Sequence, residues 1–125
     1  MNEKQVPRVM TVYRLTILPG DGTGPEVVEE AKRVISVFED SGPLSFDITE
    51  ISCGGKHYLE TGEEWPDGSF EHCRDNSDAI LVGAVGWPGA NLPNGDVAGG
   101  QVLLGLRSAL DLYANVRPVR LYRGV

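Results

Sequence analysis

A strand-like run that passes through a glycine-rich turn straight into a helical pattern constrains the fold more than any other feature of this sequence. Residues Val9 to Leu18 are rich in Val, Thr, Tyr and Ile, which favours a pleated strand that Pro19-Gly20 ends. Pro25 suits the first position of a following helix. In that helix we expect an apolar stripe to face the core, formed by Val27, Val28, Ala31, Val34, Ile35 and Phe38.

The same alternation of strand and helix continues along the chain. Residues 44 to 48 alternate apolar and polar side chains as a half-buried strand does, and Gly54-Gly55 is interpreted as the exit of that strand. A short helix is predicted over 69–76, followed by a continuous apolar strand over 79–82 that is typical of a parallel sheet covered on both faces. This order predicts an α/β fold with a doubly wound, mostly parallel sheet.

The segment after the third strand is the predicted ligand region. Residues 83 to 100 contain six glycines and two prolines, which predicts a long irregular loop at the carboxyl end of that strand. Ligands of open α/β sheets bind beside such ends. Helical spacing returns from Gln101 to about Leu112, and Tyr113 to Tyr122 predicts a fourth extended segment, which Pro118 limits to a bulge or an edge.

The net charge and the first ten residues exclude some classes of function. The formal net charge of −7 argues against a nucleic-acid partner, because an acidic surface is repelled by phosphate. We interpret residues 1–10 as an N-terminal extension. It carries Glu3, Lys4 and Arg8 and no apolar run, so we expect neither a secretory signal nor a membrane segment, and we expect a cytoplasmic protein.

Two cysteines lie far apart in the sequence, each with a histidine nearby. Cys53 with His57 and Cys73 with His72 admit a zinc hypothesis, but the close Cys-x-x-Cys pair of most zinc sites is absent. We therefore expect two reduced, mostly buried thiols.

The turn from Leu18 to Glu26 has the position of a dinucleotide-binding fingerprint but not its sequence. Pro25 and Val27 stand where the third glycine would be required, and no Gly-Lys-Ser/Thr follows as in a P-loop. A tightly turning backbone with free amide groups at a helix start still suits the approach of a ligand. The alternative is a plain turn whose glycines serve steric needs only.

Five stretches, in order, resemble the isocitrate and isopropylmalate dehydrogenase family, whose members are β-decarboxylating dehydrogenases. The likeness covers nearly the whole chain after Met10, and it implies that residues 11–125 form the N-terminal α/β part of a dehydrogenase domain, which is expected to be incomplete. The five stretches are Leu18 to Val27, Gly54-Gly55 with Thr61 to Glu63, Asp78 to Gly86, Leu103 to Arg107, and Tyr113 to Pro118.

The resemblance implies an NAD-dependent oxidation and decarboxylation of a malate-type 2-hydroxy diacid, with Mg²⁺ or Mn²⁺ and a homodimeric enzyme. It assigns the substrate carboxylates to Arg107 and Arg117, whose planar guanidinium groups suit paired, charge-assisted hydrogen bonds. It assigns the cofactor to Gly22, Thr23 and Gly86. The family's catalytic and metal-binding residues are expected outside this chain, so we expect the 125 residues alone to be inactive.

The helix from Gln101 bears on the choice of substrate. Isocitrate enzymes resemble one another in carrying a serine and an asparagine where this chain has Gln101 and Leu103, so an apolar substituent on the malate skeleton is favoured. Leu103 and Leu104 resemble leucines that face the isopropyl group of 3-isopropylmalate in leucine biosynthesis, although ordinary core leucines would show the same spacing. Two alternatives stay open: a tartrate or malate enzyme of the same family, and a non-catalytic diacid-binding α/β module or subunit.

Overall fold

The computed structural model describes residues 10–124, so most of the proposed extension 1–10 and the predicted strand start at Val9 lie outside the described residues. The strands are β1 (Thr11–Leu18), β2 (Leu44–Glu50) and β3 (Ala79–Val82). The helices are α1 (Gly24–Ser41), α2 (Gly55–Thr61), α3 (Ser69–Asp75) and α4 (Leu106–Ala109), the last continuing a π-helical turn over Gln101–Gly105.

The three strands form one parallel sheet in the order β2-β1-β3. In the register of β1 and β2, Thr11 lies opposite Leu44. In that of β1 and β3, Leu18 lies opposite Val82. The central strand β1 is therefore buried at its carboxyl half, from Leu15 to Leu18, and exposed at its start.

Helices cover both faces of the sheet, as a doubly wound arrangement requires. On one face, Leu15 and Ile17 of β1 pack with Val28 of α1. On the other, Leu18 packs with Cys73 of α3 and Leu106 of α4. Alternate residues of a strand point to opposite faces, which explains why Ile17 and Leu18 belong to different clusters. The predicted α/β fold with a parallel, doubly wound sheet is confirmed.

The apolar stripe predicted for α1 is wrong in part. Val28 is 2% exposed and faces the core, whereas Val27, Val34 and Phe38 are 55 to 60% exposed. Successive residues of an α-helix are about 100° apart, so Val27 and Val28 do not both face the same sheet. The helix therefore carries a second apolar face, formed by Val27, Val34 and Phe38, which we call the outer face of α1.

Two further expectations are corrected. Gly54-Gly55 does not simply end a strand, because β2 ends at Glu50 and Gly54 stands at the start of α2, a helix that the sequence pattern did not predict. Residues 113–122 do not form a fourth strand of this sheet. They are exposed and irregular, and among residues 10–124 no strand pairs with them, so their backbone lacks the ladder that a strand needs.

The helix predicted from Gln101 to about Leu112 ends earlier, at Ala109. Asp111 adopts a positive φ of 50°, a conformation that stops a helix. In the part of the chain that the structure describes, no helix is long and apolar enough to span a bilayer.

Candidate ligand site at the carboxyl edge of the sheet

The carboxyl ends of β1 and β3 are neighbours in the sheet, and the chain leaves them toward opposite faces. After β1 it enters α1 on one face, and after β3 it leads to α4 on the other. Open α/β sheets bind ligands in the crevice at such a switch point. Residues 19–23 and 83–86 line this part of the edge, where the amide of Gly83 donates to the carbonyl oxygen of Leu18 at 2.8 Å.

A buried carboxylate joins the loops at this edge. Asp21 is 3% exposed. Its Oδ2 accepts hydrogen bonds from the amides of Gly55 at 2.7 Å and Gly86 at 2.9 Å, and its Oδ1 accepts one from the amide of Lys56 at 2.8 Å. We call these four residues the Asp21 clasp. It connects the loops that follow all three strands, and it caps the start of α2 in place of the side chain that Gly54 lacks.

Two glycines of the first turn serve close packing. A side chain at Gly20 or Gly24 would collide with the backbone of Ala84, so both glycines let the exit of β3 approach the exit of β1. Gly20 also has a positive φ of 75°, which disfavours other residues. The steric interpretation of the turn therefore holds for these two positions.

The three residues predicted to contact the cofactor lie on the open side of the same edge. Gly22 and Thr23 are exposed, and no atom lies within 4 Å of the place where a side chain would begin at Gly22 or at Gly86. The φ angles of Gly22 and Gly86 are 57° and 137°. The amide of Gly86 is already bonded to Asp21, which leaves its carbonyl and its open Cα side to a ligand.

Glu64 holds the start of the helical segment that carries the predicted substrate residues. Its carboxylate accepts hydrogen bonds from the amides of Gly99 and, at 3.3 Å, Gln101. Its backbone oxygen accepts one from the amide of Gly54 at 2.7 Å, next to the Asp21 clasp. Sequence reasoning missed both Asp21 and Glu64, because each acts on amides more than 30 residues away; the glycines around Asp21 were the only local signal.

The apolar side chains of the segment from Gln101 to Ala109 differ in their burial. Val102 and Leu106 are buried in the core. Leu103 is half-buried and Leu104 is 65% exposed, so Leu104 is not a core residue. Leu103 and Leu104 line one groove of about 500 Å³ with Val85 and Leu92.

Arg107 and Arg117 differ in their local support. Arg107 lies on α4, and it lines a small groove of about 150 Å³ with Tyr113 and Asn115. Arg117 lies in the exposed irregular segment 113–122, outside the helix that carries Arg107. Among residues 10–124, neither guanidinium group forms an ion pair with a carboxylate.

The expectation of buried thiols is confirmed. Cys53 and Cys73 are free, 3% exposed and packed in the same hydrophobic cluster. Burial raises the pKa of the Cys53 thiol to about 11, and it raises that of Cys73 as well.

The described part of the chain offers no complete ligand set for the divalent metal that the family implies. Residues 10–124 contain no group of three or more His, Cys, Asp or Glu side chains that could hold a metal ion. The carboxylate of Asp21 is taken up by three backbone amides.

A parallel α/β edge with a glycine-rich first turn belongs to the class of open-sheet domains that bind ligands at the carboxyl ends of their strands. The sequence model described as isocitrate/isopropylmalate dehydrogenase matches residues 14–125, and the chain belongs to that family.

Two relatives support this family assignment. The chain is 46% identical over 112 residues to the 3-isopropylmalate dehydrogenase of Thermobifida fusca, covering 90% of this chain and 30% of that protein. It is 40% identical over 113 residues to the 3-isopropylmalate dehydrogenase of Clostridium acetobutylicum, covering 90% and 31%. The chain therefore spans about three tenths of the length of these relatives.

A solved structure shows the same fold. It is the apo form of a beta-decarboxylating dehydrogenase from Thermococcus kodakarensis, which matches with a TM-score of 0.58 and 36% identity. The match covers 81% of this chain and 27% of that one.

Proposed function

We propose that residues 11–125 form the N-terminal α/β part of an NAD-dependent β-decarboxylating dehydrogenase that acts on a malate-type 2-hydroxy diacid, 3-isopropylmalate. One observation carries the choice of substrate. Leu104 and Arg107 are three residues apart on one helical segment and both are exposed, and Leu103 lines a groove of about 500 Å³ together with Arg107. An exposed leucine beside an arginine with no carboxylate partner among residues 10–124 suits a substrate that joins an apolar substituent to a carboxylate.

Each predicted site residue has a role in this proposal. Arg107 and Arg117 bind the carboxylates of the substrate. Leu103 and Leu104 face its apolar substituent and exclude water from that side. The open backbone of Gly22, Thr23 and Gly86 lets NAD approach the crevice between β1 and β3.

NAD held beside Gly22, Thr23 and Gly86 would supply the hydride acceptor for oxidation of the substrate at C2, and loss of the β-carboxylate as carbon dioxide would follow from the resulting 2-oxo acid. The groups that move protons and bind Mg²⁺ or Mn²⁺ are proposed to lie outside the described residues. We further propose a cytoplasmic homodimer in leucine biosynthesis, as expected from the family.

A chimera tests the proposal. Residues 14–125 replace the matching segment of the Thermobifida fusca enzyme, which supplies the other seven tenths of a 3-isopropylmalate dehydrogenase. We expect the chimera to reduce NAD with 3-isopropylmalate and Mg²⁺, and to prefer this substrate to tartrate and isocitrate.

The matched control is the same chimera with Arg107→Gln, which removes the proposed carboxylate contact and should lose most of the activity. A chimera that melts cooperatively but oxidises tartrate or isocitrate faster than 3-isopropylmalate would contradict the proposed substrate. A cooperatively folded chimera with no activity on any of the three diacids would contradict the enzymatic role of this segment.

A further inference from the structure

The carboxylate of Asp21 is buried at the carboxyl edge of the sheet. In the described range 10–124 no ion pair includes Asp21, although it is 3% exposed. Within the described residues its oxygens accept hydrogen bonds from the three backbone amides of the Asp21 clasp. A buried carboxylate is costly unless such hydrogen bonds satisfy it, so the contacts of this side chain are closely defined.

Asp21, in the turn after β1, both accepts a hydrogen bond from the exit of β3 and donates one to it. The Asp21 carboxylate accepts from the amide of Gly86, and the Asp21 amide donates to the carbonyl oxygen of Ala84 at 2.6 Å. Gly22 and Thr23 directly follow Asp21 in the chain. Asp21 thus adds two hydrogen bonds between the two backbone segments that form the proposed cofactor side of the crevice, beside the bond from Gly83 to Leu18.

We propose that Asp21 is a positioning residue for the cofactor, acting through the backbone of Gly86 and the start of α2. This inference rests on the proposed NAD site. Asp21 holds Gly86 in place before NAD arrives, so binding does not have to order the loop after β3. Loss of the carboxylate leaves at least one amide donor of the clasp without an acceptor and lets that loop move.

Asp21→Asn is the informative variant. It keeps the size of the side chain, but its amide nitrogen replaces one carboxylate oxygen and faces a backbone N–H group that it cannot accept from. Thr16→Val is the matched control. Thr16 is 1% exposed and its hydroxyl bonds to that of Ser77, so the variant also removes a buried hydrogen bond, at a site outside the clasp.

The experiment is a titration of the 125-residue chain with NAD, followed by the amide NMR signals of Gly22, Thr23 and Gly86. We expect Asp21→Asn to weaken NAD binding by about tenfold or more, since about 1.4 kcal/mol is a factor of ten and a charged hydrogen bond contributes at least that much. We expect Thr16→Val to bind NAD as the wild type does. We also expect amide exchange of Gly86 to accelerate in Asp21→Asn only.

The outcomes separate this inference from the proposed function. Equal NAD binding by the wild type and Asp21→Asn would overturn the positioning role and leave the NAD site standing. Equal weakening in Thr16→Val would reduce Asp21 to a general stabilising residue and would overturn it too. No NAD-dependent shifts in the wild type would overturn the NAD site itself. If Asp21→Asn does not fold, Asp21→Glu takes its place in the NAD titration, because it keeps the charge but displaces the carboxylate from Gly86. The same outcomes then apply to Asp21→Glu.

Discussion

Asp78 accepts three hydrogen bonds from Arg14, which joins the start of β3 to the middle of β1. The backbone amide of Arg14 lies 2.8 Å from Oδ2, Nη2 lies 2.8 Å from Oδ1, and Nε lies 3.3 Å from Oδ2. The amide of Asp78 donates in return to the carbonyl oxygen of Arg14 at 2.8 Å. The hydrogen bonds from Arg14 lower the pKa of Asp78 to about 2.

This contact predicts a pH dependence of stability. Because the folded pKa of Asp78 lies below its ordinary value of 3.8, ionised Asp78 stabilises the fold above about pH 4, and this contribution is lost as the pH falls toward about 2. We expect Asp78→Asn to lower the Tm at pH 7 and to have little effect at pH 2. Thermal melts of both proteins across this range provide the measurement, with Asp40→Asn, an exposed carboxylate on α1 away from Arg14, as a surface control. A Tm difference that is as large at pH 2 as at pH 7 would refute the ion pair.

The buried Cys53 thiol predicts low reactivity and an alkaline loss of stability. Burial raises its pKa from 9.0 to about 11, so the unfolded chain ionises first and the fold loses stability between about pH 9 and 11. We expect Cys53→Ala to flatten the dependence of the unfolding free energy on pH in that window. Thiol labelling at pH 8 should be about a hundredfold slower in the native chain than in urea. Fast labelling of the native chain would mean that Cys53 is accessible.

The outer face of α1 and the sheet edges predict self-association. Val27, Val34 and Phe38 are 55 to 60% exposed, and in the described part of the chain β2 and β3 each pair on one side only. Exposed apolar faces and open edges favour association. We expect light scattering to show oligomers, or a monomer that binds hydrophobic dyes. Replacing the three residues by serine should reduce both signals. A compact wild-type monomer with a sharp melt and no dye binding would instead support a self-standing binding module.

The fold was predictable because its main signals are local. The run over 79–82 and the strand-turn-helix succession of β1 and α1 depend on neighbouring residues, and the prediction of these elements is confirmed. The helix α2 was not predictable in this way, since its cap comes from Asp21, 34 residues before Gly55. Periodicity alone also did not show which apolar face of α1 packs on the sheet, because that depends on the position of β1.

The residues of the candidate site also differ in whether the sequence predicts them. Likeness to the family, and not local spacing, is what predicts a role for Gly22, Thr23, Gly86, Leu103, Leu104, Arg107 and Arg117. Asp21 and Glu64 act through the backbone amides of distant loops, so no spacing in the sequence announces them. The roles of the predicted residues stay predictions.

The 125-residue chain by itself should not turn over substrate, because residues 10–124 offer no complete metal site. We expect no reduction of NAD or NADP with 3-isopropylmalate, tartrate or isocitrate in the presence of Mg²⁺ or Mn²⁺. Initial rates at high protein concentration against a blank without protein are the measurement. Turnover clearly above the blank would show that catalysis resides in these residues, and the assignment of their roles would be wrong.

Binding of the substrate carboxylates by Arg107 and Arg117 is tested by Arg117→Gln in the chimera with the Thermobifida fusca enzyme. The change removes a charge-assisted contact to a substrate carboxylate. Such bonds contribute roughly 1.5–3 kcal/mol, so kcat/KM for 3-isopropylmalate should fall by about ten- to a hundredfold.

Arg120→Gln is the matched control, three residues further along the same exposed segment, where the guanidinium of Arg120 lies 5.6 Å from the ring centre of Tyr122. A surface charge of this kind contributes less than about 1 kcal/mol, so kcat/KM should change by less than about fivefold. We expect a large loss of kcat/KM for Arg117→Gln and a small one for Arg120→Gln. Equal losses, or an unchanged kcat/KM in Arg117→Gln beside a collapse in Arg120→Gln, would contradict this expectation.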